Sequence, residues 1–160
     1  MRVAWFLLTV PALAGCGASP ATQTTTAGSH PPTARLTLKA FTTEGNLVCL
    51  RSDRRVYRVG ALSRNPVGWE KAARAARVGI AQMEKLRPPL ADQPRFQRLI
   101  ALADRLADEI VDVHAALVTR SWAAARREQA AAKALSAKIH AQAQKLGLTF
   151  CQLALTNWPA

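Results

Sequence analysis

The sequence predicts an all-α protein, an up-down antiparallel bundle of three to four helices. Two runs of apolar residues and the links around them carry this reading. Phe96, Leu99, Ala103, Leu106, Ile110, Val113 and Leu117 recur at spacings of three and four, which lines one face of a helix. Ala132, Leu135, Ile139, Ala143 and Leu146 repeat the pattern. The links between these segments are short, and short links force neighbouring helices to run antiparallel.

Taken in order, the folded domain begins near Arg35, and its first segment, residues 36–59, is ambiguous. As a helix it places Phe41, Gly45, Val48, Cys49 and Ser52 on one face, although Thr42, Thr43, Gly45 and Asn46 are mediocre helix formers. As strands it alternates Leu36, Leu38 and Ala40 and ends in β-prone Val56, Tyr57 and Val59. Helix is favoured and both stay open. Arg64-Asn65-Pro66 reads as a turn. A helix over Trp69 to Arg87 follows, with Ala73, Ala76, Ile80 and Met83 inward, and Pro88-Pro89 ends it. Asp92 is placed to cap the next helix, with Pro94 in its first turn, and that helix runs to about Val118. Ser121 is placed to cap the last, Trp122 to Leu146. Gly147 is placed for a left-handed C-cap, with Leu148 folding back as its apolar contact.

The chain opens with Met1-Arg2 and an apolar run, Val3 to Ala14. About 12 residues cannot span a bilayer, which needs about 20. A basic end followed by a short apolar run matches the first parts of a secretory signal. The run ends Leu13-Ala14-Gly15-Cys16, which resembles the lipobox of bacterial lipoproteins. The resemblance implies a diacylglycerol thioether on Cys16 and cleavage before it. The expected organisation is a lipoprotein signal peptide over 1–15, the lipidated cysteine and a flexible tether over 16–34, and the bundle over 35–160. The membrane is then the first partner, through acyl chains worth about 0.8 kcal/mol per buried methylene. The expected location is the extracytoplasmic side of the cell membrane. The tether, rich in Thr, Ser, Gly and Pro, reaches roughly 25 Å as a coil and roughly 60 Å extended.

Three cysteines occur, Cys16, Cys49 and Cys151. With Cys16 lipidated, Cys49 and Cys151 remain as a pair in an oxidising compartment, where a disulfide is expected. It would close a loop of about 100 residues and pin the C-terminal tail to the bundle. Two separate buried thiols are the alternative. The domain also resembles small exported helical proteins of high-GC actinobacteria. The shared pieces are Cys49 in the first helix, Leu86-Arg87-Pro88-Pro89 as a helix stop, and Leu146-Gly147-Leu148-Thr149-Phe150-Cys151 after the last helix. The sequence departs from that pattern at residues 42–46 and at Gln152. The resemblance supports the bundle and the disulfide and implies no activity.

Lys and Arg number 22 against 10 Asp and Glu, a net charge of +12. Such a balance favours anionic partners. Outside the cell these are anionic lipids or wall polymers, and nucleic acid is not expected. The candidate contact residues are Arg51, Arg54, Arg55, Arg58, Arg74 and Arg77, accompanied by Arg64 and Lys71. The competing reading is an arginine-rich solvated surface with no partner.

No catalytic constellation emerges, and no cofactor or metal is expected. Asp104, Asp108 and Asp112 share one helix face, but Val111 stands three before His114, where a di-iron bundle carries glutamate. A solvated acidic stripe, paired with basic residues on a neighbour, is expected instead. His114 and His140 fall roughly 20 Å apart in an antiparallel hairpin and cannot share a ligand. Ser52, Ser63, Ser121 and Ser136 lack a nucleophile-elbow context. Trp69, Trp122 and Trp158 fit core or bundle-end packing. Two function classes remain, an envelope-anchored binding or structural module and a carrier of a small ligand or lipid between helices. The alanine-rich last helix, which allows close packing, argues for the first.

Overall fold

The computed structural model describes residues 34–59 and 65–151, all within the second of two compact units that divide between residues 30 and 31. The expected signal segment, Cys16 and the tether up to residue 33 lie outside the described residues, as do Arg64, Gln152 and Trp158.

The described residues form four α-helices and one 3-10 turn: α1 (Leu38–Tyr57), α2 (Pro66–Met83), the turn Leu90–Asp92, α3 (Gln93–Val118) and α4 (Trp122–Gln144). The ambiguous first segment is therefore helical. Its start is capped by Thr37, whose hydroxyl accepts from the Ala40 amide at 3.2 Å. Its inward face, Phe41, Gly45, Ser52 and Val56, is buried. The β-prone residues at 56–59 are overridden because Val56 closes the core.

α2 starts earlier and ends earlier than the sequence suggests. Asn65 is not a turn residue but the cap, accepting from the Val67 amide at 3.1 Å, and Pro66 takes the first helical position. The helix stops at Met83 instead of Arg87. Glu84 keeps helical backbone angles and donates to Ile80 O at 2.9 Å, but Pro88 has no amide to extend the ladder and disfavours helix at Arg87, and the chain leaves α2 through a turn at Glu84 and Lys85. The freed Arg87 and Pro88 carbonyls accept from the Leu36 amide (2.8 Å) and the Arg35 guanidinium (3.1 Å). This fastens the start of the domain to the α2–α3 link.

Asp92 and Ser121 occupy the expected capping positions, but neither side chain makes the capping bond. The Asp92 carboxylate faces Arg95 at 3.6 Å instead. Arg120, at φ 56°, ends α3 in the left-handed region, with the Ser121 amide donating to Ala116 O at 2.8 Å. α4 ends by the same device with the residue best suited to it. Gly147 has φ 72°, the Leu148 amide donates to Ala143 O at 3.0 Å, and Leu148 is fully buried.

Each helix packs on its neighbours in sequence: α1 on α2, α2 on α3, α3 on α4. The core is continuous through all four, with Trp69, Phe41, Leu106, Ile110 and Val113 the largest fully buried side chains besides Leu148. Phe41 meets Phe96 edge-to-face at 5.4 Å, which ties α1 to α3. Among the described residues, α1 and α4 make no direct backbone approach. The segment 146–151 closes that gap. Leu148 packs over Gly45, where an added Cβ would lie 2.6 Å from the Leu148 Cδ2. Asn46 donates to Gly147 O (3.3 Å) and accepts from the Phe150 amide (3.0 Å). Cys49 and Cys151 form a disulfide with Cα atoms 4.8 Å apart, 102 residues apart in sequence.

Candidate binding face and apolar cavity

The candidate arginines come from two helices and meet different fates. At the end of α1, Arg51, Arg54 and the C-cap Arg58 fall on one exposed side, away from the buried Ser52 and Val56, with Arg55 at its edge. Arg54 and Arg55 occupy the last turn, where the unpaired carbonyls carry partial negative charge and favour cations. Arg51, Arg54 and Arg58 are exposed and form no ion pair with any described residue. Arg55 is half-buried, and its guanidinium approaches Gln82 of α2 at 3.5 Å.

On α2 the two candidates are already engaged. Arg74 pairs with Glu70 one turn earlier at 2.6 Å, and Arg77 reaches Asp108 of α3 at 3.0 Å. Both pairs are exposed, so each is worth only about 0–1 kcal/mol. The Arg77–Asp108 pair is the basic-to-acidic contact expected for the α3 stripe, and Asp104 and Asp112 are exposed on the same helix. The candidate face thus divides into an open arginine cluster on α1 and a pair of arginines on α2 whose charge is locally balanced.

The histidines are apart in their contacts. The His114 ring Nδ1 lies 2.8 Å from Pro66 O, and the His140 Nε2 lies 2.9 Å from the Gln144 amide. Trp69 is buried, while Trp122 at the start of α4 is 46% exposed. Among the described residues no group of three or more His, Cys, Asp or Glu is arranged to hold a metal ion. No described helix is long and apolar enough to cross a membrane.

Sequence reasoning missed a cavity of ≈ 60 Å³ beside the disulfide, lined by Val48, Met83, Leu99, Ile139, Cys49 and Cys151 among others. Cys49 Sγ lies 4.0 Å from Met83 Sδ at its wall. The small side chains of α4 do pack closely, but this space is bounded mainly by the other three helices and the tail. The small residues Ser52 of α1 and Ala76 and Gly79 of α2 are part of its lining.

No family model matches the chain. No curated protein matches it, and no solved structure does. The functional reading therefore rests on the residues themselves.

Proposed function

We propose that the protein is a lipid-anchored module on the extracytoplasmic side of the cell membrane, whose bundle binds an anionic surface through the α1 arginines. The observation that carries this reading is the cluster of Arg51, Arg54 and Arg58, exposed on one helix and without an ion pair among the described residues. The lipobox-like Leu13-Ala14-Gly15-Cys16 supports the anchor, and a net charge of +12 supports an anionic partner. A tethered domain held within tens of ångströms of a surface meets anionic lipids or wall polymers at high effective concentration.

A carrier role is the second reading, favoured by the apolar cavity. Its size weakens it: ≈ 60 Å³ is less than half of the roughly 150 Å³ that admits a benzene molecule.

The test is charge reversal at Arg54, Arg55 and Arg58 in the full-length chain carrying Cys16→Ser, which removes the acyl anchor, with binding to anionic liposomes and to wall fragments as the readout. Loss of binding, steepened by salt in the unmodified protein, supports the reading. Binding unchanged by reversal sinks its electrostatic part. The anchor has a separate test, the intact mass of membrane-extracted protein: a chain beginning at Cys16 and heavier by lipid is expected, and an unlipidated mass overturns it.

A further inference from the structure

A second cationic feature lies on the α3–α4 seam, and it involves none of the α1 arginines. Two contacts fix how α3 runs against α4. Near one end, the Gln142 amide donates to Arg95 O at 3.1 Å. Towards the other end, the Glu109 and Glu128 carboxyls meet. Both contacts belong to one antiparallel register. Glu109, Asp112 and Glu128 occupy one half of the seam, together with Arg105, Arg126 and Arg127. Arg95, Arg98 and Lys145 occupy the other, around a cleft of ≈ 500 Å³ whose described lining is completed by Gln142.

Three cations and one amide line this cleft, and no described carboxylate lines it. The Arg95 side chain touches Asp92 only at 3.6 Å, well beyond the 2.7–2.9 Å of a charge-assisted bond, and is 53% exposed. Its fork is therefore available. Arg98 and Lys145 are exposed and form no ion pair with a described residue. Gln142 is half-buried, and its bond to Arg95 O orients the amide while leaving a second N–H to donate. Such a set supplies two planar guanidinium forks, one point charge and one neutral donor. A phosphate group is tetrahedral, so even as a singly charged diester its two free oxygens can accept from forks that arrive from different helices.

We propose that the Arg95–Arg98–Gln142–Lys145 cleft is a binding site for a phosphate group. The group is either the headgroup of a phospholipid or part of a soluble phosphodiester. Its residues lie on α3 and at the end of α4, and none of them belongs to α1.

The experiment uses the full-length, oxidised protein and follows amide resonances by NMR. The first probe is inorganic phosphate, added at constant ionic strength against chloride. Saturable shifts of the Gln142 side-chain amide and of the Arg95 and Arg98 backbone amides are expected. The double variant Arg98→Gln/Lys145→Gln should weaken phosphate binding at least tenfold, while Lys133→Gln, at an exposed position outside the cleft, leaves it unchanged. Both substitutions lie on exposed positions, and an unchanged thermal midpoint verifies folding. Shifts equal with chloride, or spread equally over the α1 arginines, overturn the proposal. Phosphatidylglycerol vesicles and soluble glycerol phosphate polymer then separate the sources, with Cys16→Ser in the chain so that no acyl anchor holds it and with the Gln142 side-chain and Arg98 backbone amides as the readout. Cleft shifts with vesicles that the double variant loses assign the headgroup, the same with polymer assigns the soluble phosphodiester, and shifts with neither overturn the site.

Discussion

Gly79 of α2 faces Ser52 of α1 so closely that a Cβ built on Gly79 would lie 2.8 Å from the Ser52 Cβ. The two helices cross at a point where only hydrogen fits. Gly79→Ala forces them apart or bends a rotamer, and overpacking of this kind costs about 1–3 kcal/mol. Urea unfolding should show a lowered midpoint at unchanged slope. Adding Ser52→Gly should return part of the loss, because it restores the room. Strict additivity of the two changes would show that the contact is not the cause.

Asn46 joins the closing segment to α1 from both sides, donating to Gly147 O and accepting from the Phe150 amide. Asn46→Ala removes both bonds while raising helix propensity, so two effects of opposite sign compete. Two bonds at about 1 kcal/mol each outweigh about 0.6 kcal/mol of propensity. Net destabilisation of about 1 kcal/mol is expected, together with faster hydrogen exchange at Phe150. A stabilised variant would show that the segment is held by Leu148 and the disulfide alone.

Reduction of Cys49–Cys151, or Cys151→Ser, removes a cross-link across 102 residues. In the chain-entropy account a loop of that size is worth up to about 4.7 kcal/mol. The expected result is a large fall in the thermal midpoint, with α3 and α4 still helical by circular dichroism below it. A midpoint unchanged by reductant would mean that the cysteines are not bonded.

The carboxyl of Glu109 is held above the usual glutamate range. Burial contributes most, followed by the Glu128 charge, a hydrogen bond with Glu128 and the Asp112 charge, against which Arg105 acts in the opposite sense. A carboxyl raised on folding contributes stability that is complete below its unfolded pKa and is lost as pH rises through its folded pKa. Glu109→Gln cannot ionise and should abolish that loss. The variant should be more stable than the unmodified protein at neutral pH, by about 0.3–0.5 kcal/mol, the scale of a like-charge pair on a helix surface. The difference should shrink as pH falls through the acidic range. A difference that stays constant with pH would assign the effect to packing instead.

Much of the bundle was legible because its cause is periodic. Every inward residue expected on α2 and α4 is buried, and on α3 only Ala103 remains half-buried. Gly147 was legible because a left-handed position selects for glycine. Arg120 was not, since nothing in an arginine announces that conformation. The end of α2 differs: the helix stops at Met83, four residues short of Arg87, and the chain reaches Pro88 and Pro89 through a turn at Glu84 and Lys85.

The weak helix formers at 42–46 counted against α1, yet they are where the closing segment docks. Gly45 makes room for Leu148, Asn46 clamps 147–150, and the Thr42 side chain lies against Gly147. Local propensity gave way there to a contact from about 100 residues away, which no local pattern contains. For the same reason the α3–α4 cleft was missed. Arg95, Arg98, Gln142 and Lys145 read singly as solvated surface until the register of the two helices brings them to one place.

The covalent bond between Cys49 and Cys151 has a mechanical consequence. A pull exerted between a residue upstream of Cys49 and one downstream of Cys151 travels through the two sulfurs and bypasses the chain between them. Tension then reaches only about three turns of α1, the stretch from Leu38 to Cys49. The arginines at 51, 54 and 58, the whole of α2 and the α3–α4 seam lie inside the bypassed loop. A domain loaded at its two ends would carry no tension through the chain that bears either cationic surface for as long as that one bond stays oxidised.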